Sequence, residues 1–141
     1  MSVSTNHLQS RLKARTYIHD PADATVATKI AWVAMTYKHF MALATLISGT
    51  GILTFKIFAA TDSSGSGATL VKAHSDPTVA DAQGDQVVLE VSSEEVLNAL
   101  PAASHVSVEM DCDALADIVA VTYIQAGGRF SYDALTADVI S

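Results

Sequence analysis

Five histidines are the side chains in this sequence that would most readily bind a metal ion or carry a proton. They are His7, His19, His39, His74 and His105. None of them has a second histidine or a cysteine at the short spacing at which metal ligands usually occur. Single histidines of this kind are more typical of strand ends and surfaces, so the sequence predicts no metal ion and no other cofactor.

Three aspartates, Asp111, Asp113 and Asp117, stand close together in the last third of the chain. Hard cations such as Ca²⁺ prefer several carboxylate and carbonyl oxygens, but this group lacks the glycine and the distal glutamate of an EF-hand loop. A solvated acidic loop is therefore the favoured interpretation. A weak divalent-cation site at a contact between subunits is the alternative.

The single cysteine, Cys112, alternates with apolar residues and has no basic neighbour in the sequence. A reactive thiolate needs an electropositive neighbour, so we predict a buried and inert thiol. No serine lies in the Gly-x-Ser-x-Gly turn of a hydrolase nucleophile. Glu94 and Glu95 are explained by the start of a helix, where negative charge is favourable. We find no catalytic group of residues and predict that the protein is not an enzyme.

Charge is distributed unevenly along the chain, which has a net charge of −7. Residues 1–40 carry a net charge of +3, whereas residues 41–141 carry −10. The acidic body argues against non-specific nucleic-acid binding, and the basic front end suggests a segment that docks on an acidic partner. A merely solvated N-terminus is the alternative. The candidate partner-binding residues in this segment are Arg11, Lys13, Arg15 and Tyr17.

A membrane-spanning helix is not predicted. The longest apolar stretch, residues 40–60, is interrupted by a Ser-Gly-Thr-Gly run and contains Lys56. A spanning helix needs about 20 mostly apolar residues without such a break. The first nineteen residues are polar and basic, with no apolar core of a secretion signal.

The elements that would position these side chains are mainly strands. Period-two alternation or short apolar runs predict about seven strands, at residues 28–37, 40–47, 52–58, 69–73, 86–91, 105–112 and 117–126. A capping box, Ser92 with Glu95, predicts one short helix. The last two strands are predicted to form a hairpin. Phe58 falls on the polar side of its strand and is a candidate exposed apolar contact.

This pattern predicts an all-β fold, an antiparallel β-sandwich or a jelly-roll-like arrangement. Residues 1–24 are predicted to be an extended N-terminal arm, and residues 25–141 the β-sandwich domain. No alternation of strands and helices occurs that would indicate an open parallel sheet.

A resemblance to a known family rests on motifs between residues 28 and 126. They are Ala31-Trp32-Val33, the run Phe40-Met41-Ala42-Leu43, Gly49-Thr50-Gly51, a Thr-Phe-Lys strand at 54–56 and an Ala-Ala-Thr-Asp loop at 59–62. In this order they resemble a group of small structural proteins in the virions of tailed bacteriophages, of the capsid cement or decoration type.

The resemblance implies a β-sandwich subunit of the phage particle that binds the major capsid protein and decorates the head shell. It also implies a homo-oligomer, with a trimer favoured, that lies on the capsid surface after assembly in the host cytoplasm. A head-to-tail connector or tail component is the alternative. A carbohydrate-binding β-sandwich is the alternative of another class. We expect residues 1–24 and the Phe58 face to make the subunit contacts, so that deleting residues 1–20 abolishes attachment and leaves the fold intact.

Overall fold

The computed structural model of the protein describes residues 12–19, 28–74, 82–114 and 116–128. In chain order the elements are β1 (Leu12–His19), β2 (Thr28–Lys29), β3 (Val33–Ala34), β4 (Tyr37–Ser48), β5 (Ile52–Ala60), β6 (Thr69–Ala73), β7 (Gln86–Ser92), α1 (Ser93–Ala99), β8 (His105–Cys112) and β9 (Ile118–Gly128). Within these ranges, no helix is long and apolar enough to cross a membrane.

The strands form two antiparallel sheets. Sheet A has the order β1-β9-β4-β7, and sheet B has the order β2-β8-β5-β6, with β3 also pairing with β8. The predicted antiparallel β-sandwich with one short helix is thereby confirmed. Because the side chains of a strand point alternately to its two faces, each sheet supplies every second residue to a shared core.

The core lies between the two sheets and is almost entirely apolar. Its fully buried large side chains include Phe40 and Leu46 from β4, Phe55 and Ile57 from β5, and Met110 from β8. On β7, which matches the strand predicted at residues 86–91, the alternating residues Val87, Leu89 and Val91 are buried. Burial of such side chains contributes roughly 1.5–3 kcal/mol each, so this shared core is the main source of stability.

Helix α1 begins with the capping box that the sequence predicts. The backbone N–H of Glu95 donates to the Ser92 hydroxyl at 3.2 Å, and the Ser92 N–H donates to the Glu95 carboxylate at 2.7 Å. The hydrogen bond from the Ser92 N–H to the carboxylate lowers the pKa of Glu95 below its usual value, and nearby Lys72 adds to this effect.

The continuous strand predicted at residues 28–37 is wrong. The chain forms β2 and β3 there, each two residues long, with Ile30, Ala31 and Trp32 between them. The Trp32 indole lies against Gly65, where an added Cβ would come within 2.6 Å of the indole Nε1. The residues between β2 and β3 therefore do not continue the strand pairing with β8.

The hairpin predicted between residues 105 and 126 is also wrong. Strand β8 belongs to sheet B and β9 to sheet A, so the chain crosses between the sheets after Cys112 and before Ile118. Residues 49–51 make a second crossing, from β4 in sheet A to β5 in sheet B. Alternation identifies which residues face the core, but two strands on either side of a core alternate in the same way as two strands in one sheet.

Part of the predicted N-terminal arm lies within the sandwich. Residues 12–19 form β1, which pairs with β9 along its whole length, from Leu12 opposite Ala126 to His19 opposite Val119. The Tyr17 ring lies 5.1 Å from that of Tyr123 on β9. A deletion of residues 1–20 would therefore remove an edge strand and uncover Tyr123, so it does not test attachment alone. The other residues of the predicted arm, including Arg11, lie outside the described residues.

The two crossings between the sheets are joined by the buried carboxylate of Asp117. It accepts hydrogen bonds from the backbone N–H of Thr50 (2.8 Å), of Gly51 (3.2 Å) and of Ala114 (3.1 Å). Between the same two segments, the Asp113 N–H donates to the Gly51 carbonyl at 2.9 Å. Backbone groups that would otherwise be buried without partners are satisfied in this way.

Replacing Gly49 by alanine is expected to destabilise the protein far more than replacing Gly84. Both glycines have a positive φ, +126° and +92°, so both variants incur a backbone cost of about 1–2 kcal/mol. A Cβ at Gly49 would lie 1.9 Å from Oδ1 of Asp117, whereas a Cβ at Gly84 meets nothing within 4 Å. The loss in unfolding free energy, measured with urea, should be larger for Gly49→Ala by about 2 kcal/mol or more. Equal losses would show that Asp117 does not depend on the space at Gly49.

Candidate partner-binding surfaces

The acidic group at residues 111–117 is mainly structural. The Asp117 side chain is fully buried and accepts the three backbone hydrogen bonds described above, which corrects the interpretation of this residue as part of a solvated loop. Asp113 is exposed and accepts a hydrogen bond from the Thr50 hydroxyl at 3.0 Å. Across the described ranges, no group of three or more metal-binding side chains has the arrangement of a metal site.

Cys112 is buried at the end of β8, as predicted. Its burial raises the pKa of the thiol to about 11, and the charges of Asp117 and Asp111 add to this effect. A thiol with such a pKa is almost entirely protonated at neutral pH and is a poor nucleophile.

A basic cleft opens between the two sheets, at the edge where β1 and the β2–β3 segment lie. Its volume is about 420 Å³. The residues that line this cleft come from both sheets: Lys13, Arg15, Tyr17, Ala31, Trp32, Val33, Ala34, Tyr123 and Gln125. Three of the residues that the sequence identified as partner-binding candidates, Lys13, Arg15 and Tyr17, are thus brought together in one place.

The register of β1 explains why its basic residues face the cleft. Lys13 lies opposite Gln125 and Arg15 opposite Tyr123, and both β9 residues are buried on the inner face of sheet A. Lys13, Arg15 and Tyr17 alternate along β1 and share that inner face. At this edge sheet B has only the short strands β2 and β3, so the inward-pointing side chains of β1 are left open to solvent.

Hydrogen bonds and ring contacts fix the walls of the cleft. The Tyr123 hydroxyl accepts from the Val108 N–H at 3.0 Å, and its ring also packs edge-on against Phe40 at 5.1 Å. The Gln125 amide donates to the Ala34 carbonyl at 3.0 Å and accepts from the Thr36 N–H at 3.2 Å. These hydrogen bonds hold sheet A at a fixed distance from β8 and from the β3 segment. Burial also raises the pKa of Tyr123 to about 12.

Phe58 lies elsewhere, on the outer face of sheet B. Its ring is half-buried, and the Lys29 ammonium stands 4.4 Å from the ring centroid. Lys29 is itself paired with Glu109 at 2.7 Å. The sequence suggested an exposed apolar contact because Phe58 alternates with polar residues, and it could not show that a cation from β2 partly covers the ring.

The outer face of sheet A is a second candidate surface, which the sequence reasoning missed. A row of Leu12, Ala126, His39 and Ser92 lies at one end of this face, and the next three cross-strand rows contain twelve described residues: Ala14, Ile124, Met41 and Glu90; Thr16, Thr122, Leu43 and Val88; Ile18, Ala120, Thr45 and Gln86. Among these twelve, Glu90 alone carries a charge. Val88 is 49% exposed and Ile18 is 62% exposed. The signal in the sequence was the apolar outward set of β4, where Met41 and Leu43 alternate with core residues.

Comparison with known proteins gives a likeness in fold. No family model matches the sequence, and no curated protein matches it either. The chain is similar in structure to the STIV MCP, a viral capsid protein, with a TM-score of 0.53 and 13% sequence identity over 89% of this chain. The match spans 43% of that protein. The fold is therefore an antiparallel β-sandwich of a kind that also occurs in a viral capsid protein.

Two weaker likenesses were also found. One is to a Bacillus endospore appendage of the disulfide-linked pili, with a TM-score of 0.39 and 12% identity, covering 83% of this chain and 88% of that one. The other is to a structure of infectious bursal disease virus, Gt strain, with a TM-score of 0.28 and 12% identity, covering 92% and 48%. Both scores are below 0.5 and support no conclusion about this chain.

Alkaline pH is expected to weaken the fold in a window set by Cys112. The folded thiol keeps its proton up to about pH 11, whereas the unfolded chain loses it near the ordinary value of 9.0. The associated stability is complete below about pH 9 and is lost as pH rises through about 11. In urea unfolding at about pH 8 and about pH 11, the wild type should lose about 2–3 kcal/mol more than Cys112→Ala. Tyr123 is present in both proteins, so its effect on the unfolding free energy cancels in the comparison. Equal losses of unfolding free energy in the two proteins would contradict a buried thiol.

Proposed function

We propose that this protein is a structural component of a virus particle: a cement or decoration subunit that binds the major capsid protein on the head shell of a tailed bacteriophage. The observation that carries the proposal is the outer face of sheet A, on which Glu90 is the one charged residue among the twelve named above. The likeness in fold to the STIV MCP supports it, because such sandwiches can serve as shell building blocks. The motif resemblance to phage virion proteins supports the cement role.

The size of the outer face suits a contact surface. Four strands about 4.8 Å apart and three rows about 7 Å apart cover roughly 400 Å². A standard interface buries about 800 Å² per partner, so the outer face supplies about half of one.

Repetition on a lattice makes a contact of this size sufficient. A subunit that is held by several neighbours, or that forms an oligomer, binds with an avidity well above that of one contact. A trimer of this chain, which the resemblance favours, would present three copies of the outer face to the shell. In this proposal the protein lies on the capsid surface after assembly in the host cytoplasm.

Two alternatives predict different behaviour. A head-to-tail connector or tail component would use the same face, but in few copies per particle. A carbohydrate-binding module is favoured by one observation: the Trp32 ring is half-exposed in the basic cleft. Against it, the cleft carries the cations Lys13 and Arg15, whereas sugar hydroxyls are usually bound beside acidic and amide groups. Retention on immobilised glycans would favour the carbohydrate module.

Copy number per particle tests the proposed location. DNA-filled particles would be purified on a density gradient, and peptides of this chain would be quantified by mass spectrometry against those of the shell protein. We expect a copy number comparable with that of the shell protein. A few copies per particle would instead indicate a connector or tail part, and absence from particles would refute the virion role.

A charge on the outer face should prevent attachment without unfolding the protein. Val88→Glu places a carboxylate in the middle row of the face, on the edge strand β7, where attachment would bury it without a partner, at a cost of several kcal/mol. Leu97→Glu is the matched control, since Leu97 is 36% exposed and lies on α1, outside both the outer face and the Phe58 face. In a binding assay with shells that lack this protein, Val88→Glu should bind at least about tenfold more weakly, and Leu97→Glu should bind as the wild type does. Equal binding of the two variants would exclude the outer face as the attachment surface.

A further inference from the structure

The basic cleft lies at a sheet edge with unused backbone hydrogen-bonding groups. Among the described strands, β1 pairs with β9 on one side and with no strand on the other. Every second N–H and C=O group of an edge strand points away from its neighbour, and such an edge can accept an added strand from another chain.

The charges of the cleft are opposite to those of the molecule that carries it. Lys13 and Arg15 point into the cleft from a protein whose net charge is −7. Arg15 forms no ion pair with any described residue. The two cations are two residues apart on β1, so they stand about 7 Å from each other along the strand. That is also the distance between alternate side chains of a strand paired with β1.

The cleft also has preformed aromatic walls. Tyr17 packs against Tyr123 at 5.1 Å between ring centroids, and Trp32 rests against Gly65 of the loop that follows β5. Both Tyr17 and Trp32 are half-buried, so each keeps part of its ring available. Because these rings are already held in place, a ligand would not have to order them on binding.

We propose that the basic cleft binds an extended acidic segment of polypeptide, which adds to the free edge of β1. Its alternate carboxylates pair with Lys13 and Arg15, and its apolar atoms pack on Tyr17 and Trp32. A peptide is favoured over a nucleic acid because only a peptide offers N–H and C=O groups at the regular spacing of a β-ladder. The identification of that segment as part of the shell protein rests on the proposed function. The binding chemistry of the cleft does not depend on the proposed function.

The test uses the purified full-length chain and a fluorescein-labelled peptide of alternating glutamate and threonine, about ten residues long. A peptide of alternating lysine and threonine is the probe control. Fluorescence anisotropy is expected to show binding of the acidic peptide only, weakened by salt. Arg15→Glu should weaken binding at least tenfold. Lys38→Glu makes the same change of charge at an exposed site on β4 and should alter binding less than twofold.

Several outcomes would overturn the proposal. Equal effects of Arg15→Glu and Lys38→Glu, or no binding of the acidic peptide, would exclude the cleft. A single-stranded oligonucleotide that binds as tightly as the peptide would show a general anion site. If Arg15→Glu proves unfolded by circular dichroism, Arg15→Ala, which only removes the exposed side chain, is used in its place with the same threshold.

Two further results separate the cleft from the proposed function. Peptide binding by a protein that is absent from particles would refute the virion role and leave the cleft assignment standing. Abundant copies in particles formed by Arg15→Glu as readily as by the wild type would show that shell attachment does not use the cleft. Concentration-dependent association of the free protein, lost in Arg15→Glu, would replace the shell protein as occupant by a second copy of this chain.

Discussion

The buried carboxylate of Asp117 is the interaction on which the sandwich depends. It receives backbone N–H groups from both crossings between the sheets, at Thr50 and Gly51 on one and at Ala114 on the other. A buried carboxylate is costly unless its oxygens are hydrogen-bonded, and here the donors are backbone groups that need an acceptor. The missing side chain of Gly49 provides the space. One aspartate thus joins the connection between β4 and β5 to the connection between β8 and β9.

The two edges of sheet A, β7 and β1, differ in how well their backbone groups are covered. At one edge, the Lys72 ammonium donates to the Glu90 carbonyl of β7 at 2.9 Å and lies 3.9 Å from Glu95. A lysine ammonium held at this carbonyl stands in the way of an added strand, so this edge is less open to strand addition. At the other edge, β1 has no such cover among the described residues. The sheet is therefore asymmetric in what it can bind.

Sequence reasoning was reliable where one local pattern determines the structure. The alternation of Val87, Leu89 and Val91, and the capping box of Ser92, each depend on residues a few positions apart. It failed where the outcome depends on distant partners. Alternation in β8 and β9 does not say whether their partners lie in the same sheet, and Asp117 looks like a loop acid until the backbone of residues 50–51 is placed beside it. Only part of the cleft could be predicted. The basic residues of β1 were visible in the sequence, but Trp32 and Tyr123 come to lie beside them only through the fold.

The inward direction of Lys13 and Arg15 also determines what β1 can pair with. Strand β1 runs antiparallel to β7, so the sheet of one copy could in principle continue into that of the next. A neutral strand added to β1 would cover the Arg15 guanidinium without supplying an opposite charge, and an unpaired charge is costly in a desolvated site. A strand that places a carboxylate beside Arg15 removes that cost. On this argument the inward-pointing Arg15 disfavours edge-to-edge pairing with a neutral strand, and an acidic segment as proposed above does not meet that penalty.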